Sequence, residues 1–171
     1  TAKGLALNTN FRILYQYDNY TSKANAGFVI DDVRLTQRAQ GLAAFPLASD
    51  SFETEMFQQG FYPQSTAGGV AEISTTYPHR GAKSVFLGQK VAGDASASLI
   101  LAVDLFGQTD VLLDFWVRAT GDYAYRRVYI SDDGGTNWEV IRELHTTPQS
   151  FSHEILNISG AATALGLALN N

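Results

Sequence analysis

The sequence contains no cysteine. That excludes a disulfide framework, a thiolate zinc site, a cysteine nucleophile and a CxxC redox pair. No apolar run reaches the roughly 18–20 residues a membrane helix needs, so no membrane insertion is expected. Basic residues are few: 12 Lys+Arg stand against 17 Asp+Glu, a formal net charge of −5. Nucleic acid and anionic membranes reward clustered Lys and Arg, so neither is expected as a partner. Helical periodicity is missing too. Residues 42–57 come closest to a 3.6-residue apolar repeat, and Pro46 and Ser49-Asp50-Ser51 break it. The chain opens at Thr1 without a signal-peptide pattern, and without an initiator methionine it is expected to be a piece of a longer polypeptide. Catalytic signatures are also lacking: there is no GxSxG, HExxH or P-loop. His79, His145 and His153 are scattered without metal-ligand spacing. The acid pairs Asp132/Asp133 and Glu53/Glu55 do not face one another as a glycosidase pair must. No enzyme is expected.

What the chain has is glycine and aromatics: 15 Gly, 8 Tyr and 10 Phe among 171 residues. A chain of that size buries roughly two-thirds of its unfolded surface, enough for a real core. Its pattern has period two almost throughout. Strands are expected over 11–17, 27–35, 70–76, 83–87, 97–104, 111–118, 124–131, 138–143, 151–156 and 164–169. A helical turn is expected near 157–163. Strands spaced about 10 residues apart are the signature of an antiparallel β-sandwich or barrel, so the fold class is all-β. Residues 37–50 (QRAQGLAAFPLASD) have no alternation and read as a linker.

The two ends resemble each other. Ala2-Lys-Gly-Leu-Ala-Leu-Asn-Thr9 and Ala164-Leu-Gly-Leu-Ala-Leu-Asn-Asn171 lie 162 residues apart and share six of eight positions. This predicts a piece of a tandem array cut in a shifted frame. Residues 1–36 would be closing strands of a repeat and 51–171 the body of the next. A sandwich without its closing strands exposes sheet edges, so strands 1–35 are expected to complete the sandwich formed by 51–171, in the same chain or by exchange with a neighbour.

Three motifs stand out. Ser131-Asp-Asp-Gly-Gly-Thr-Asn-Trp138 lies between two expected strands, and Asp133-Gly134-Gly135 is a hairpin signal. Its S-x-D-x-G-x-x-W pattern resembles the Asp-box turn, in which Ser131, Asp133, Gly135 and Trp138 have structural roles. The others are Gly27-Phe-Val-Ile-Asp-Asp-Val-Arg-Leu35 and Asp50-Ser-Phe-Glu53. With Gly81-Ala-Lys-Ser-Val-Phe-Leu-Gly88 and the strand Val111–Arg118 (VLLDFWVR), the set resembles MAM-like and reelin-like jelly-roll domains in circularly shifted order. The usual disulfides of the animal members are absent, so the likeness is to a repeat of a bacterial secreted or surface protein. The resemblance implies a calcium site. Glu53, with Asp50 as an addition, and Asp31 or Asp32 would be ligands, and carbonyls near Arg80 and Ala82 would fill the shell. A hard cation with six to eight oxygen ligands suits such a set. Adjacent Asp31 and Asp32 on a strand point to opposite faces, so one of them would enter the site.

Aromatics exceed what one core needs: Tyr15, Tyr17, Tyr20, Phe61, Tyr62, Tyr77, Tyr123, Tyr125 and Tyr129. Alternate members are expected inside; the rest offer ring faces for binding. Tyr62, Tyr123, Tyr125 and Arg126 are the candidate ligand-binding residues. The expected function is a non-catalytic, calcium-stabilised extracellular or cell-surface module for adhesion or carbohydrate binding. Its partners would be a glycan or cell-surface protein and neighbouring repeats. The alternatives are a purely structural stalk repeat or an accessory binding module of a secreted hydrolase.

Overall fold

The computed structural model describes residues 9–19, 24, 26–38, 45–121, 125–145 and 150–165. Within them run eleven strands: β1 (Phe11–Asn19), β2 (Gly27–Gln37), β3 (Phe45–Asp50), β4 (Phe61–Ser65), β5 (Gly69–Ser74), β6 (Ser84–Gln89), β7 (Ala95–Val103), β8 (Val111–Ala119), β9 (Tyr125–Ser131), β10 (Glu139–Glu143) and β11 (Ser152–Asn157). One helix, α1 (Ile158–Ala164), follows them. The strands form two packed antiparallel sheets, an all-β sandwich. Sheet A has the order β10-β9-β1-β7-β4 and sheet B the order β11-β8-β2-β6-β5, with β3 also paired to β2. The chain passes from sheet to sheet repeatedly, as in a jelly roll.

Alternation explains the two faces. Along β8, Val111, Leu113, Phe115, Val117 and Ala119 are buried while the residues between them are partly exposed. The core lies between the sheets, with Ile13, Tyr15 and Tyr17 from β1, Phe28, Ile30 and Leu35 from β2, and Leu99 and Leu101 from β7. Tyr15, Tyr17 and Phe61 are therefore interior aromatics; Tyr62, Tyr77 and Tyr125 are exposed.

The first two strands occupy the centres of both sheets. β1 pairs with β7 on one side and β9 on the other. β2 pairs with β8 along one side, and with β6 and then β3 along the other. The expectation that the N-terminal strands complete the sandwich is met at its middle rather than its edge. The second half of the expected linker, Phe45–Asp50, is a strand. β4 had no expected counterpart; Pro63 interrupts its pattern, and proline is tolerated because β4 is an edge strand paired only to β7. At the other end, the Asn157 side chain accepts a hydrogen bond from the Gly160 amide at 2.7 Å and caps α1. Ile158 and Ala162 then close the core. Residue 164, expected to begin a strand, ends this helix. The rest of that strand and most of both terminal repeats lie outside the described residues.

Candidate functional site: a carboxylate-held loop on sheet B

The expected metal ligands Asp31 and Glu53 converge on one loop, residues 79–83. Asp31 lies on β2 opposite Trp116 and is fully buried. Its Oδ2 accepts from the amides of His79 at 2.7 Å and Arg80 at 3.2 Å, and its Oδ1 from the amide of Asp32 at 2.8 Å. Burial pushes the Asp31 carboxyl above the ordinary range, and these amides pull it partly back. Glu53 accepts from the amide of Ala82 at 2.9 Å and that of Lys83 at 3.2 Å. Between them Gly81 has φ +66°, and a Cβ there would fall 2.2 Å from Glu53 Oε1. Only glycine lets the loop approach the carboxylate this closely.

Asp32 departs from the expected alternation. The β2–β8 register shifts between Asp31 and Arg34, and Asp32 takes φ +50°. This bulge turns both aspartates toward the same residue. Asp31 takes the His79 amide, and Asp32 Oδ2 lies 3.0 Å from His79 Nδ1. The two adjacent acids therefore serve one loop instead of opposite faces. Asp50 serves another turn: its oxygens accept from the amides of Phe52 at 2.7 Å and Gln58 at 3.0 Å. Near Arg80 and Ala82 the groups that meet carboxylates are amide N–H donors.

His79 then stacks on Trp116, ring centroids 3.9 Å apart and planes 13° apart. His153 stacks against Trp116 at 4.5 Å and 9°. Each imidazole has its own carboxylate, Asp32 for His79 and Asp114 for His153 at 2.9 Å. The indole is thus clamped by two anchored rings. Sequence reading missed this clamp, although alternation in Phe115-Trp116 already turned one large ring outward.

No family model matches the chain, and neither a curated protein nor a solved structure does.

The residues of the Ser131–Trp138 motif form a hydrogen-bonded turn between β9 and β10. Ser131 is fully buried; its Oγ donates to Asp133 Oδ1 at 2.8 Å and accepts from the Gly135 amide at 2.9 Å. Asp133 Oδ1 also accepts from the amides of Thr136 and Asn137, both at 2.9 Å. These bonds, led by those from Asn137, hold its carboxyl well below the usual range. Trp138 lies over Gly135, where a Cβ would approach its ring to 3.0 Å.

The candidate ligand-binding residues do not form one cluster. Tyr62 is exposed on edge strand β4 and, with Arg12, Gln64 and Trp138, lines a cleft of about 370 Å³ on sheet A. Tyr125 is exposed at the start of β9, with the Arg127 guanidinium 4.6 Å from its ring centroid. Arg126 is buried and its guanidinium reaches the Gly121 carbonyl. Tyr123 lies outside the described residues.

Proposed function

We propose that this domain is a non-catalytic, calcium-stabilised module of a secreted or surface protein, used for adhesion or carbohydrate binding. The observation that carries this reading is the commitment of Asp31, Asp32 and Glu53 to one loop. Acidic groups here support shape, and the shape presents aromatic rings on open sheet faces. Asp31 and Glu53 are hard oxygen donors of the kind calcium takes, but what the loop turns toward them is amide N–H groups rather than carbonyls. Among the described residues no three His, Cys, Asp or Glu side chains are grouped to hold a metal. Calcium would therefore have to draw Asp31 and Glu53 away from these amides and fill the rest of its shell with water.

The test is thermal unfolding in chelator and in millimolar calcium. Calcium should raise the melting temperature, by about 2.7 kcal/mol in free-energy terms at one hundred times Kd. Asp31→Asn and Glu53→Gln should remove the response. Identical melting curves with and without calcium would reject the metal. The stalk-repeat reading shares the calcium response but predicts no ligand, so binding of the wild-type domain to arrayed glycans or cell surfaces separates the two.

A further inference from the structure

A second cleft, of about 350 Å³, lies on the outer face of sheet B beside the carboxylate-held loop. That is the lower end of the roughly 300–1,000 Å³ typical of small-ligand sites. We propose that it binds a neutral pyranose, one sugar residue of a glycan. The proposal rests on the binding-module reading above and gives that reading a site which the sequence did not indicate.

The floor is aromatic. Gly27 and Gly88 face each other across β2 and β6. A Cβ on either would meet the Phe86 ring, at 2.7 Å from Gly27 and 2.5 Å from Gly88. Two glycines in register thus let Phe86 lie down on the sheet where side chains would otherwise stand. The wall is Tyr77, from the same loop that carries His79. Its backbone is held at φ +58°, a conformation costly for a non-glycine residue and concentrated at ligand clamps. The Arg118 guanidinium lies 4.0 Å from the Tyr77 ring centroid, yet the residue stays 46% exposed. One ring is laid flat, and another is braced with surface to spare.

The rim is polar and electrically balanced. On the rim Glu72 and Lys90 form an ion pair at 2.7 Å, so their charges cancel, while the Arg118 guanidinium is engaged by the Tyr77 ring. Balanced charge disfavours an acidic or basic ligand and leaves one carboxylate and one ammonium to grip hydroxyls. Thr120 Oγ1 is buried and makes no hydrogen bond among the described residues. Apolar ring faces for C–H groups, with donors and acceptors around the edge, match a pyranose, which is apolar on its faces and hydroxylated at its rim.

The test begins with the wild-type domain on an array of neutral glycans. Methyl glycosides of glucose, galactose and mannose then serve as probes in amide-shift NMR titrations. Binding should shift the amides of residues 72–77, 86–90 and 120. Tyr77→Ala and Glu72→Gln should each weaken it at least about tenfold while leaving the melting temperature near wild type. Val140→Ala, on the exposed face of β10 in the other sheet, should leave affinity unchanged. Wild-type binding lost in Tyr62→Ala and kept in Tyr77→Ala would overturn this site while preserving the binding-module reading. Binding confined to acidic glycans would also overturn it. No binding to any glycan would overturn both.

Discussion

Tyr15 stands in the middle of the sandwich, edge-on to Phe115 with ring centroids 5.2 Å apart. Its hydroxyl is buried and makes no hydrogen bond among the described residues, and burial pushes the phenol far above its ordinary range. A buried polar atom without a partner is a cost the fold carries. Tyr15→Phe should therefore raise the unfolding free energy, by up to about 1 kcal/mol, read from urea denaturation at neutral pH. A loss of stability would show that the hydroxyl has a partner after all. The acids show how far residue-level reading reached. Asp31 and Glu53 were visible as a pair because a jelly-roll resemblance placed them together. The bulge that turns Asp32 to the same side was not visible, since strict alternation sends neighbours to opposite faces and a one-residue insertion has no composition signal. His79 looked isolated for a related reason: its partners Asp32 and Trp116 are far away in sequence.

At the scale of the element, the β9–β10 hairpin is held by Asp133 as well as by its ladder. Hydrogen bonds to the ionised carboxylate lower its folded pKa below the unfolded value. The support it gives is present above the unfolded pKa and fades as pH falls through the folded one. In Asp133→Ala, the amides of residues 135–137 should exchange with solvent faster at neutral pH, and the difference from wild type should shrink in strong acid. Equal exchange in the two proteins at neutral pH would remove Asp133 from this role. The hairpin was legible because Asp-Gly-Gly demands positive φ, and Gly134 and Gly135 have φ +78° and +94°. The long strands β7 and β8 were legible because one face is core and the other is not. β3 and β4 were not: both are short, contain proline and are half exposed, so burial imposes no pattern on them.

At the scale of the whole molecule, the two central strands come from the first 37 residues. Removing residues 1–37 should leave a chain without cooperative unfolding, because each sheet loses the strand that joins its halves. A peptide of residues 9–37 added in trans should restore a sigmoidal melt; a truncated chain that melts cooperatively alone would contradict this architecture. The Tyr77 cleft was illegible because Thr120, just past β8, reaches the β5–β6 pair and its loop only across β2, which lies between β6 and β8. The same placement bears on biosynthesis. Arg12 pairs with Ser131, roughly 120 residues downstream. At ribosomal speeds of about 5–20 residues per second, β1 waits on the order of 6–24 s for that partner. The middle of this sandwich is made before the strands that flank it, and its ladders are completed only when β9 arrives. Until β7 follows, β1 has no ladder partner, whereas β2 can pair with β3 soon after both are made.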